Sequence, residues 1–543
     1  MSTLSPVKRL WRLLKLYKPE IRQIYTYAVF IGVVNLSLPL GIQAIINFLQ
    51  TGQLSSSWFI LVTVVLMGIG VAGVLQVLQL RIVENIQQDI FARSAFEFAF
   101  RFPKMKAKEV DSIHAPELAN RFFDTLTIQK GLPKILIDLS LSTFQIFFGL
   151  LLLSVYSLYF IWMGLVMILI LYLLVKITGK IGLDTSIEES KYKYRLAHWL
   201  EEIGRARRTF QLNDPTSFHL RKTDDITADY VNSRESHFKV LLDQFKSFVG
   251  FKIIIAAGIL VVGGLLVFNQ QMNIGQFVAA EIVIILIINS VEKLLRVWDN
   301  VYDVLTAFDK IGFVTDLELQ ENKGQEVLAA DVECSLSLKK ATFRHKGAAD
   351  PTFSELDLTI PERARAVLNS GTGSGKSTLL QVFAGVQELE SGDVLLNDIS
   401  YSVLSRKSLH QKLGIVFAAN QIFEATIREN ILVGRQVPEK ELSEMLRDLG
   451  LEDYIKGLPK GLETIMDSGG RRTPRCIIQK IHLARAICHR PGLLLMEDPL
   501  VNMPTAERVQ LIDYLTDEKQ PWTLVVISDD EEWLKKSTMT VKL

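Results

Sequence analysis

Cysteine is scarce: only Cys334, Cys476 and Cys488 occur in 543 residues. None stands in CxxC spacing or beside other metal-ligand side chains, so neither a disulfide framework nor a zinc site is expected, and a reduced, cytoplasmic environment suits the part that carries them. Charge is missing from long tracts. From Ile24 to Leu80 there is no Asp, Glu, Lys or Arg at all. With 49% hydrophobic residues and a positive mean hydropathy, the chain is more apolar than a soluble protein requires. Acids are almost absent from the first 22 residues, where Glu20 alone faces Lys8, Arg9, Arg12, Lys15, Lys18 and Arg22. The net charge of +1 hides this bias; such a basic tail suits a cytoplasmic membrane surface, not nucleic acid.

What is present is a series of apolar segments long enough to cross a bilayer, for which roughly 20 residues suffice. A polar patch from Thr51 to Ser57 divides the first stretch, giving spans at about 24–49 and 57–80, followed by 139–157, 158–175, 253–268 and 275–291. The joints within each pair are short. Those between pairs, about 81–138 and 176–252, are long and charged, as expected of helical extensions on one side of the membrane. Six spans return the chain to its starting side, so the N-terminus and everything after about 292 share the cytoplasm. The first segment is too long for a signal-peptide core and lacks a small-residue cleavage site. Pro39 inside it predicts a kink. Glu281, a carboxylate in the sixth span, is a functional candidate or a polar interhelical contact.

The composition changes near 330, which divides the chain into a transmembrane domain over 1–325 and a second domain over 330–543. In the second, short apolar runs alternate with helical patterns: Ala366-Val-Leu, Gly392-Asp-Val-Leu-Leu, Gly414-Ile-Val-Phe, Leu493-Leu-Leu-Met and Thr523-Leu-Val-Val-Ile. The alternation predicts an α/β domain with a largely parallel sheet. After the first of these runs comes Ser370-Gly-Thr-Gly-Ser-Gly-Lys-Ser-Thr, which opens a helical pattern at Leu379. This is a phosphate-binding loop in its proper context. The backbone of Gly371, Thr372, Gly373, Ser374 and Gly375 can wrap phosphate oxygens at a helix N-terminus. Lys376 reaches the terminal phosphates, Ser377 can ligate magnesium and Thr378 continues the site. Ser370 stands where such loops usually carry their first glycine.

Six spans with two long joints, a phosphate loop, then Thr426-Ile-Arg-Glu-Asn-Ile and Ala484-Arg-Ala in this order resemble the ATP-binding cassette (ABC) exporter family. The joint around Arg101-Phe-Pro is similar to that of haemolysin-type and peptide exporters. The resemblance implies an α-helical membrane domain followed by an α/β P-loop nucleotide-binding domain. It also implies ATP and Mg2+ as cofactors, and a dimer with a second half-transporter, either the same chain or an intact partner.

Against that family's pattern the chain departs at most hydrolytic positions. His345 takes the place of the aromatic that stacks on adenine, and Ala418 that of the Q-loop glutamine. Thr473-Pro-Arg-Cys-Ile replaces the Leu-Ser-Gly-Gly-Gln signature, where Pro474 removes an N–H and Arg475 and Cys476 add side chains; a direct charge contact from Arg475 is the functional alternative. The strand Leu493-Leu-Leu-Met ends in Glu497-Asp498, the reverse of the family order. Glu497 can still hold magnesium, whereas Asp498, at the general-base position, is one methylene short. Pro504 takes the D-loop aspartate's position, and Asp529 that of the catalytic histidine. The chain also ends at Leu543, which leaves little room for C-terminal helices, and only a short basic segment precedes the spans, so no leader-processing domain is expected. Three readings stay open: an ATP-binding half-exporter with slow or absent hydrolysis, a non-transporting scaffold or nucleotide sensor of the same fold, and an active exporter with unconventional residues. Whether the chain is an enzyme, and what solute it moves, are not legible.

Overall fold

The computed structural model describes residues 4–51, 56–110, 115–320, 324–328, 333–371, 373–418 and 421–543. It forms two compact units. One comprises Met1–Lys104 with Ile113–Leu317, and the other comprises Met105–Ser112 with Glu318–Leu543.

The first unit is helical. Six segments are long and apolar enough to cross a membrane: Lys18–Gln50, Ser57–Lys104, Glu117–Tyr156, Leu158–Arg205, Phe218–Phe268 and Ile274–Thr315. Each overlaps one of the expected spans, and four of them run on without a break into the charged joints. Leu158–Arg205 is a single helix of 48 residues. At 1.5 Å per residue it measures about 70 Å, more than twice the ~30 Å of a hydrocarbon core. The sixth helix is likewise continuous through the polar stretch after 292. Short joints are capped locally: Ser157 begins the fourth helix by accepting from Tyr159 N–H, and Asn273 with Gln276 makes a reciprocal capping box at the start of the sixth.

The kink expected at Pro39 lies slightly earlier. The first span breaks between Val34 and Ser37, and Pro39 occupies the first turn of the helix that resumes, where a missing N–H costs little. A π-helical turn at Ile259–Gly263 interrupts the fifth helix, next to Gly263, where a Cβ would stand 2.8 Å from the Phe277 ring. Glycines also set the packing of the third helix: a Cβ on Gly149 would stand 2.9 Å from Ile287 of the sixth. Glu281 lies half-buried on the sixth helix.

The second unit holds two main sheets. A five-stranded parallel sheet has the order Met539–Val541, Arg365–Leu368, Thr523–Ile527, Leu493–Glu497, Leu413–Val416. Its central residues are fully buried, as strands covered on both faces should be. A four-stranded antiparallel sheet packs Phe353–Ile360, Leu336–Phe343, Ser391–Leu396 and Ile399–Ser400. The run at Gly392 therefore belongs to the antiparallel sheet, not to the parallel one the alternation predicts. The reason is local: Ser391–Leu396 pairs with its antiparallel neighbour across a register shift, at which Gly392 adopts φ 88° in a space that a side chain would fill. The stretch Met105–Ser112 is tied to this unit by Lys106, whose ammonium lies 3.3 Å from both Glu318 and Glu388.

Candidate nucleotide site

Three adjacent strands of the parallel sheet, Arg365–Leu368, Thr523–Ile527 and Leu493–Glu497, end level with one another, with Leu368 and Glu497 both in register with Ile527. Open α/β sheets bind ligands at the carboxyl ends of their strands. From these three ends emerge the phosphate loop, Glu497-Asp498 and Ser528-Asp529, so topology alone gathers residues more than 150 positions apart.

The loop itself is built for an anion. Gly373 and Gly375 adopt φ 85° and 88°, and Gly375 caps the helix Lys376–Phe383, whose first N–H groups therefore face the loop. The Cβ that Gly375 lacks would stand 2.7 Å from Thr352. Ser374 Oγ is buried and makes no hydrogen bond. An unsatisfied hydroxyl in such a cradle fits a ligand oxygen. Thr372 lies outside the described residues, Gly371 precedes the turn, and Thr378 is buried in the helix. The loop's entry is fixed from the last strand: Asn369 N–H donates to Val541 at 3.1 Å, and Ser370 Oγ accepts from Leu543 N–H at 2.7 Å.

The candidate magnesium ligands meet directly. Ser377 Oγ donates to Glu497 Oε1 at 2.5 Å, and the other Glu497 oxygen accepts from Ala418 N–H at 3.2 Å. These two oxygens fit a hard cation, which prefers carboxylate and hydroxyl donors. Lys376 is held from two sides: it donates to the Ser370 carbonyl, and Asp529 Oδ1 stands 3.4 Å from its ammonium. The lysine side chain is 13% exposed and the aspartate 78%. Asp529 thus sets a carboxylate against the lysine of the phosphate loop.

Asp498 adopts φ 41°, a left-handed backbone that aspartate tolerates better than most residues, and its N–H donates to Ile527 at 3.0 Å. Partial desolvation, then the Asp529 and Glu497 carboxylates, push its carboxyl above the ordinary range, with Lys376 opposing. His345 stands beside the loop helix, Nε2 3.2 Å from Thr378 Oγ1 and edge-on to Phe343. Stacking on a base would require it to leave that contact.

The stretch Thr473-Pro-Arg-Cys-Ile folds as an ordinary helix start. Pro474 precedes the helix Arg475–Ile487 and supplies no side-chain cap. Arg471, Arg472 and Arg475 are exposed, and none forms an ion pair among the described residues. Sequence reading singled out Arg475 and missed its two neighbours, which were visible as an Arg-Arg pair. Also missed was the anchor formed by Arg485 and Asn430. Asn430 is fully buried, bonds Phe423 through both N–H and C=O, and receives Arg485 Nη2 at 3.1 Å, while Arg485 Nε donates to the Asn430 carbonyl at 2.7 Å. These are the asparagine and arginine of Thr426-Ile-Arg-Glu-Asn-Ile and Ala484-Arg-Ala. The first of these motifs is also a capping box, with Thr426 and Glu429 exchanging bonds.

Known proteins agree with this architecture. The ABC transporter family model matches residues 353–501, and the ABC transporter transmembrane region matches residues 24–291, together more than three quarters of the chain. The colicin V secretion/processing ATP-binding protein CvaB of Escherichia coli is 28% identical over 44% of this chain, a match that spans 35% of CvaB. The alpha-hemolysin translocation ATP-binding protein HlyB of Escherichia coli O157:H7 is 25% identical over 44% of the chain and 33% of its own length. The glutathione/L-cysteine transport protein CydC of Escherichia coli K12 is 23% identical over 67% of this chain and 64% of its own. A solved structure of a bacterial Atm1-family ABC exporter with ATP bound superposes with TM-score 0.85, covering 97% of this chain and 94% of that one at 13% identity. The chain belongs to the ABC transporter family: it is an integral membrane protein with an exporter-type transmembrane region followed by a nucleotide-binding domain.

Proposed function

We propose that this chain is a half-transporter that binds MgATP, pairs with a second half-transporter, and takes part in moving an amphipathic solute across the membrane while hydrolysing ATP slowly or not at all. The observation that carries the reading is the ion pair between Asp529 and Lys376, the lysine of the phosphate loop. Loop glycines, the orphaned Ser374 hydroxyl and the helix N-terminus support phosphate binding. Ser377 and Glu497 would hold magnesium, which when bound neutralises phosphate charge. Hydrolysis demands more. A water must be oriented by a base, and Asp498 is short, while Ala418 offers only its N–H to Glu497 where a glutamine side chain is expected. Near the γ-phosphate, Asp529 adds repulsion on the order of 1 kcal/mol in water at ~4 Å, and more in a drier site.

In this reading the N-terminus and nucleotide-binding domain are cytoplasmic, and a peptide, a lipid or another amphipathic molecule is the cargo class. Relatives named for colicin V secretion and haemolysin translocation support export as the direction. The decisive test is the purified full chain in nanodiscs. Millimolar MgATP should raise its melting temperature, Lys376→Ala should abolish that rise, and steady-state turnover should stay far below that of ordinary exporters. Turnover at ordinary rates, lost in Lys376→Ala, would instead establish an active exporter with unconventional residues. ATP-dependent stabilisation without solute movement in any reconstituted pair would favour a sensor or scaffold.

A further inference from the structure

A second basic site lies in the nucleotide-binding unit and shares no lining residue with the phosphate loop. It is an open groove of about 1160 Å³ where three segments meet: the helix Arg406–Lys412, the stretch 435–438, and the end of the helix Arg475–Ile487 with the residues that follow. Lys407, His410, Lys412, Arg435, His489 and Arg490 line it, against one carboxylate, Glu441, which lies 3.5 Å from Arg490. Lys407 and Arg435 are exposed and form no ion pair among the described residues.

The excess of positive charge is felt by the histidine in the wall. His489 Nε2 lies 3.1 Å from the Leu413 carbonyl, an acceptor only, so this nitrogen carries the proton and Nδ1 is left as an acceptor. Nδ1 is buried and has no partner. Burial, and then Arg435, hold the imidazole down at about 4, so it stays neutral. The groove lining thus carries Lys407, Lys412, Arg435 and Arg490, with Glu441 as its one carboxylate, and the neutral histidine adds no charge to that excess. Like charges held together raise the free energy of the empty groove, and an anion removes that cost. Guanidinium forks and ammonium groups at this density match a multiply charged phosphoryl group better than a single carboxylate.

We propose that this groove is a second anion site, which binds a soluble polyphosphate-type ligand independently of the phosphate loop. The probe is inorganic pyrophosphate, titrated calorimetrically without magnesium into full-length Lys376→Ala chain in phosphatidylcholine nanodiscs, so that the phosphate loop contributes least. Saturable binding is expected, weakening with added salt and falling at least about tenfold in the Lys407→Ala, Arg435→Ala double variant. The charge-keeping pair Lys407→Arg, Arg435→Lys should retain it. Both positions are exposed, so neither pair disturbs the core. Absence of binding in the Lys376→Ala background, or equal binding by the double alanine variant, overturns the proposal. Repeating the titration in phosphatidylglycerol nanodiscs separates the sources. Unchanged affinity supports a soluble anion, whereas a loss confined to chains with intact Lys407 and Arg435 would overturn it in favour of a lipid headgroup.

Discussion

Single side chains decide most of what this site can do. Asp529→Asn removes the charge beside Lys376 while keeping size and hydrogen bonding. MgATP affinity should rise about fivefold, the equivalent of roughly 1 kcal/mol, in a nucleotide titration of the full chain; an unchanged affinity would mean that Asp529 turns away when nucleotide arrives. Asp498 gives a pH signature. Its carboxyl is raised in the folded state, so the native chain holds a proton that the unfolded chain has released, and stability falls as pH rises from the ordinary carboxylate range through the raised value. Asn also tolerates a left-handed backbone, so Asp498→Asn isolates the charge. The variant should melt higher than the parent at neutral pH without magnesium, with the difference vanishing in acid. At this scale the sequence singled out residues that the fold brings together, as with Ser377 and Glu497. It was silent on Ser370 meeting Leu543 and on the φ of Asp498, because both depend on which strands lie side by side.

Elements show the same division. Apolar length and charge gaps made six spans legible, and the charged joints announced helices without revealing that span and joint form one continuous rod. The break at Asn35–Leu36 was displaced from the position expected for Pro39, because proline marks the start of a new helix as readily as the bend in an old one. The strand at Ser391–Leu396 was visible, but its sheet was not, since an apolar run does not state the direction of its neighbour. Two substitutions probe how elements are held. Asn430→Ala would strand Arg485 and the Phe423 backbone groups; a loss of about 2–4 kcal/mol is expected, seen as a lower melting temperature of the nucleotide-binding unit's transition. Gly149→Leu should cost about 1–3 kcal/mol by forcing the third and sixth helices apart, and should lower detergent resistance of the membrane unit first.

At the scale of the whole molecule, six spans with long extensions fix which loops share a compartment. Cysteines introduced at Arg208, in the short helix Arg207–Asn213 between the fourth and fifth long helices, and at Gln271, between the fifth and sixth, should react with a membrane-impermeant thiol reagent from opposite sides of sealed vesicles. Labelling of both from one side would overturn the six-span topology. Cys334 and Cys488 are buried, and the half-buried Cys476 is replaced by serine before labelling.

The bond between Leu543 N–H and Ser370 Oγ has a practical consequence for every one of these measurements. Whatever follows Leu543 emerges beside the entrance of the phosphate loop. A purification handle or fluorescent fusion placed there becomes an unintended neighbour of the ligand, able to crowd it, donate charge to it or pull the last strand away. Handles at the other terminus, and a tag-cleaved control, would keep the choice of vector from masquerading as biochemistry.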